Sequence, residues 1–182
     1  MTKQQRAAAN IVVCDNEDPI RAEEDQIQAR IRERAFEISL ERSHAGREID
    51  DWLLAESEVV MSPPVEVAER DGSIIVRMLA AGVDPQNLTI MATRDRILIK
   101  ADFRHDHESD AQIHACEFRS TMLFRTVYFP HPIDARSLHA QITDGMLRIT
   151  ARIEGSAVEE PAPKKPIRKA AAPAKSARRS RP

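Results

Sequence analysis

The residues best suited to chemistry gather in one stretch, HDHESDAQIHAC, which holds His105, His107, His114 and Cys116. Imidazole nitrogen and thiolate sulfur are donors that zinc accepts, and His-x-His on a strand turns both rings to one face. The stretch is otherwise polar, and no second ligand pair follows at a spacing typical of zinc sites. It reads as a solvated loop, with no metal expected. The sequence also lacks a Gly-x-Ser-x-Gly elbow, a P-loop and a His-Glu-x-x-His pair. Nothing in it cradles phosphates, so the expectation is no enzyme, no cofactor and no ATP site.

A second chemistry is electrostatic. From Lys164 to Arg181 the chain carries eight Lys or Arg and no acids. Lys164, Lys165, Arg168, Lys169, Arg178 and Arg179 are the candidate contacts to nucleic acid, binding non-specifically and with steep salt dependence. The segment has no aromatic residue on which a base could stack. The net charge of −2 conceals this tail, because acids outnumber bases between Asp15 and Glu58.

These residues must be positioned by the elements of a 182-residue chain, long enough for one real core plus extensions. Residues 1–19 read as a flexible arm whose apolar patch, Ile11 to Val13, is at most a tether. Residues 20–61 read as a two-helix module. Ile27, Ile31, Ala35 and Ile38 recur at helical spacing, and acids early with bases late complement the helix dipole. In REIDDWLLAESEVV, Ile49, Trp52 and Leu53 share a face and Asp50 is a candidate N-cap. The pair is too small for a core of its own and is expected to dock on something, on a partner copy, or on both. Ser62-Pro63-Pro64 ends helical structure.

After Pro64 the period changes from 3.6 to 2. PVEVAER, SIIVRMLAAG, LTIMA, ILIKADF, IHACEFRS, LFRTVYFP, LHAQI and MLRITARI read as strands separated by Gly, Pro and Asp turns. The fold class expected is mainly β, an immunoglobulin-like antiparallel sandwich over residues 64–153. Residues 154–182 are Pro, Ala, Lys and Arg-rich and are expected to be a disordered basic tail. The two cysteines, Cys14 and Cys116, form no disulfide framework, which fits a reducing compartment. No signal-peptide core and no run of about 18 apolar residues occurs, so a soluble cytoplasmic protein with no membrane contact is expected.

Residues 64 to about 153 resemble the small heat shock protein, or α-crystallin, family. PPVEVAERDGSIIVRMLAAGVDPQNLTI resembles its opening strands, RDRILIKADF the following hairpin, and EFRSTMLFRTVYFP its Glu, basic, aromatic and Arg pattern. LHAQITDGMLRITARI resembles the closing hairpin, with Ala140, Gly145 and Leu147 at the signature positions. The chain departs from the family at Met146, Thr121 and Leu123. Its tail also lacks the usual isoleucine-x-isoleucine or -valine pair, since Ile167 is followed two places on by Lys169. The segment IRERAF…GREIDDWLLAESEV resembles a short bacterial helical domain of unknown function.

The resemblance implies an ATP-independent holdase that binds apolar segments of unfolding proteins. It implies a client groove lined by Leu88, Ile90, Ala140 and Ile142, with the alternative that these residues simply fill the core. It also implies a homodimer or larger homo-oligomer. QIHAC, anchored by Ile113, would pair with a partner's Val65 and Val67 strand, and Arg125 would meet carboxylates at that interface. Without the tail motif, whether the groove is free is left open. The alternative function is a nucleic-acid-associated protein acting through the tail.

Overall fold

The computed structural model describes residues 9–42, 47–103, 112–116 and 121–156. Helix α1 (Asp18–Arg42) starts where the Asn16 side chain accepts the Asp18 N–H at 3.1 Å and Pro19 occupies the first turn. Its buried residues are Ile20, Ile27, Ile31 and Ile38, a stripe along one side. Helix α2 (Glu48–Val59) runs back against it, tied by Arg34 to Glu58 at 2.6 Å and by Arg42 to Asp51 at 3.2 Å.

The buried face of α2 differs from the one expected. Asp51 and Ala55 point inward, Trp52 is half-buried, and Ile49 and Leu53 are 76% and 57% exposed. The small Ala55 lets the helices approach, and the Arg42–Asp51 pair turns an acid inward in place of Ile49 and Leu53. The helix begins at Glu48, so Asp50 lies in its first turn, where its charge suits the dipole, and is not the cap.

The strands are β1 (Asn10–Val13), β2 (Val60–Met61), β3 (Val65–Arg70), β4 (Ser73–Leu79), β5 (Thr89–Ala92), β6 (Arg96–Phe103), β7 (Thr121–Tyr128), β8 (His139–Thr143) and β9 (Met146–Arg152). They form two sheets, ordered β1-β5-β6-β7-β2 and β3-β4-β9-β8. The ladders between sequential sandwich strands are antiparallel, whereas β1 and β2 join the two sides of the first sheet in parallel. The expected strand in IHACEFRS is not formed over its described part: residues 112–116 carry no strand and are exposed. The turn into β9 is made by Asp144 and Gly145, both at positive φ, as a tight two-residue hairpin requires.

The core between the sheets is built from Ile74, Val76 and Met78 on one side and Ile90, Ile97 and Ile99 on the other, joined by Leu123, Leu147 and Ile149. The outer face of the five-stranded sheet is covered as well. Ile20 packs on Met91 and Leu98, while Ile27, Ile31 and Trp52 share a cluster with Met122 and Phe124. This explains why Arg96 to Ile99 are buried without alternation, whereas β4 and β9 alternate strictly: the four-stranded sheet keeps one face in solvent. The helix pair is thus docked on the sandwich.

Candidate functional site

The site centres on β5, whose outer edge is covered by the chain's own arm. Asn10, Ile11, Val12 and Val13 lie in register with Thr89, Ile90, Met91 and Ala92. The Asn10 N–H donates to the Leu88 carbonyl at 2.9 Å, and the Cys14 N–H to the Ala92 carbonyl at 2.8 Å. Neighbours in register point to the same face, so Ile11 follows Ile90 inward and packs against the main core together with Ala9. Val12 and Val13 remain 39% and 43% exposed. The apolar patch of the arm is therefore an edge strand.

Of the groove residues expected from sequence, Leu88 and Ile90 are fully buried, Ala140 is 8% exposed, and Ile142 is half-buried against the same core. Leu88, Ile90 and Ala140 belong to the main core, Ile142 and Ile11 pack against it, and the β5 edge is hydrogen-bonded to β1.

Just beyond β1, α1 is held to the sheet by charges. Arg96, only 5% exposed, reaches Glu17 at 3.3 Å, Glu24 at 3.4 Å and the Tyr128 hydroxyl at 3.1 Å, with its guanidinium 5.6 Å from the Tyr128 ring centre. Burial works to lower the Arg96 pKa, but the Tyr128 hydrogen bond and the two glutamates outweigh it and raise it. Lys100 pairs with Glu23, and the Thr126 hydroxyl donates to Glu24 at 2.8 Å. Sequence reasoning missed this clamp. Its signal is Arg96 and Lys100 four residues apart, on one face of β6, matched by Glu17 just before α1 and Glu23 and Glu24 within it. Cys14 lies between strand and clamp, and burial pushes its thiol up, away from the reactive thiolate.

The expected dimer residues are separate from this site. Val65 packs on the core edge and Val67 is 38% exposed, both on β3 at the margin of the four-stranded sheet. Ile113 is 46% exposed. Arg125 lies on β7 and donates from Nη1 to the Ser62 hydroxyl at 2.9 Å, while its buried Nε has no partner among the described residues. Carboxylates for it are therefore not supplied by that part of the chain. His114 and Cys116 are exposed, and no group of three or more His, Cys, Asp or Glu suited to a metal occurs among the described residues. His105, His107 and the tail candidates Lys164, Lys165, Arg168, Lys169, Arg178 and Arg179 lie outside the described residues. Among the described residues, no helix is long and apolar enough to cross a membrane.

The profile of the Hsp20/alpha crystallin family matches residues 66–168, more than half of the sequence. The chain belongs to the Hsp20/alpha crystallin family. In this Hsp20 chain the helix pair carries a separate match, over residues 26–60, to a domain of unknown function, DUF2934. Similar solved structures include heat shock protein 16.0 from Schizosaccharomyces pombe, at 20% identity over 53% of this chain and 91% of that one, TM-score 0.48. HspA from Xanthomonas axonopodis is similar at 18% identity over 53% of this chain and 98% of that one, TM-score 0.46. HSP18.5 from E. histolytica is similar at 13% identity over 54% and 93%, TM-score 0.47. The Hsp20 match begins within β3, so β1 and α1 lie outside it.

Proposed function

We propose that this protein is an ATP-independent holdase whose client groove, lined by Leu88, Ile90, Ala140 and Ile142, is occupied at rest by its own β1. Membership of the Hsp20/alpha crystallin family supports a chaperone role in general. The observation that carries the finer reading is the four-residue parallel ladder on β5 with Ile11 packed on the core. So short a strand, half in solvent, opens at low free energy. An unfolding protein presenting alternate apolar residues takes its place, using the same backbone donors and acceptors. Each buried aliphatic anchor contributes about 1.5–3 kcal/mol, and two anchors less ordering costs give a dissociation constant on the order of 10⁻³–10⁻⁴ M. Weak sites become effective when several act together, which calls for an oligomer.

The dimer in this reading forms where QIHAC, with Ile113, adds to a partner's β3 beside Val65 and Val67, bringing acceptors to Arg125. The reading divides the chain into arm (1–19), helical module (20–61), sandwich (64–153) and tail (154–182), and places it in the cytoplasm.

The test is light scattering from a heat- or reductant-aggregating client without nucleotide. The wild-type protein is expected to suppress aggregation, and Ile11→Ser to suppress it at lower temperature. Unchanged aggregation at excess wild-type protein overturns the holdase. Suppression that Ile11→Ser leaves unaltered overturns the role of β1 and keeps the holdase.

A further inference from the structure

The solvent face of the four-stranded sheet carries an unbalanced charge pattern. Because Ile74, Val76, Met78, Leu147, Ile149 and Ala151 point into the core, the alternate residues of β4 and β9 point outward. Arg77 lies directly opposite Arg148 in the β4–β9 ladder, a like-charge pairing that destabilises the sheet. Arg77 has one exposed partner, Glu66 at 3.6 Å, and Arg148 has no acidic partner among the described residues. Arg70 and Arg152 also lie on this face, but each is paired with an acid at its margin, Asp71 at 3.2 Å and Asp134 at 3.0 Å, so the uncompensated charge is centred on Arg77 and Arg148. Beside Arg77 is a depression of about 230 Å³ lined by Pro64, Val65, Leu79 and Met146, with Leu79 49% exposed.

The helix pair presents the complement. Its two helices carry twelve Asp or Glu against five Arg. Phe36 and Leu40 on α1, and Ile49 and Leu53 on α2, are each spaced i, i+4 and are 57–76% exposed. Both pairs lie at the end where the helices are joined, and the exposed acids Glu33, Glu37, Glu41 and Asp50 stand among them. Large apolar residues left outside on a helix pair that already buries another face mark an interaction surface.

We infer that the helix pair of one copy docks on the arginine face of a second copy. Phe36 or Leu40 enters the depression beside Leu79 and Met146, and acids including Glu33 and Asp50 meet Arg77 and Arg148. The two surfaces differ, so the contact is heterologous and each pair of copies keeps one unused surface of each kind, from which rings or open chains grow. The depression includes Val65 and Glu66, so this contact borders the β3 edge at its first residues. The docking site stands independently of the client groove.

The test uses the full chain in sedimentation velocity or light scattering at low salt. Arg77→Glu with Arg148→Glu is expected to lower the average mass, as is Glu33→Arg with Asp50→Arg, each raising the apparent dissociation constant at least about tenfold. Mixing the two double variants is expected to restore assembly, because each then supplies the face that the other needs. High salt is expected to lower the mass of the wild type. All four side chains are exposed, and unchanged near-UV circular dichroism verifies folding. Wild-type mass in both double variants overturns the contact. Loss of mass that mixing fails to restore overturns the pairing of these two faces. Binding of low-salt nucleic acid through Arg77 and Arg148 without any change in mass assigns the arginine face to another partner and likewise overturns it.

Discussion

Ile11→Ala removes the one residue of β1 whose side chain packs on the sandwich core. Full burial of the three lost carbons would be worth about 2.4 kcal/mol at about 0.8 kcal/mol per methylene. Ile11 is only half-buried, so the cost is about 1 kcal/mol. That raises the population in which β1 is detached about fivefold, since about 1.4 kcal/mol is tenfold. Amide hydrogen exchange followed by NMR reads this locally. The Cys14 N–H, which donates to Ala92, is expected to exchange about fivefold faster, while amides in the β4–β9 ladder keep their rates. The Cys14 thiol supplies a second readout. Packed against Ile20, Met91 and Leu98, it is expected to react with a neutral thiol reagent more slowly than the exposed Cys116, and faster by a comparable factor in the variant. An unchanged Cys14 amide rate would refute the reasoning, as would uniform acceleration through the sandwich, because either result means that β1 is not an independently opening element.

Two further perturbations probe the supports of the site. Arg96→Met leaves Glu17 and Glu24 without their buried counter-charge and is expected to lower stability by about 1–3 kcal/mol, discounted because both glutamates are partly in solvent. Calorimetry checks it, and a two-step transition with an early helical loss would locate the effect in α1. Gly145→Ala places a side chain at φ +73° with its Cβ 3.2 Å from that of Ala81, and is expected to cost about 1–2 kcal/mol, seen as a lower midpoint in urea unfolding.

The sandwich strands were legible because their signals are local. Alternation in SIIVRML and MLRITAR and the Asp-Gly turns at residues 71–72 and 144–145 specify hairpins whose partners are adjacent in sequence. What stayed hidden depends on contacts between remote segments. Nothing in NIVV names Thr89 to Ala92 as its partner, and four residues are too few for periodicity to register. The helical stripe of α1 was legible in its isoleucines, but α2 was turned by an ion pair and a small residue, which a reading of apolar spacing does not weigh. On β5 and just before it, Ile90 and Leu88 are legible as apolar strand residues, while the pairing of this edge with the arm depends on a segment far upstream. Arg96 shows the same limit: its value lies in glutamates that precede it by a whole helical module.

The two short parallel strands flank the helix pair in sequence, β1 before α1 and β2 after α2, and both precede every strand of the sheet whose sides they cover. On a ribosome this order matters. The covers are synthesised before β5 and β7 emerge, and they are tethered to the same nascent chain at high effective concentration. Each bare margin of the growing sheet therefore meets its own cover before it meets another polypeptide. The sheet is in this way shielded from pairing with other chains during the seconds in which it is made.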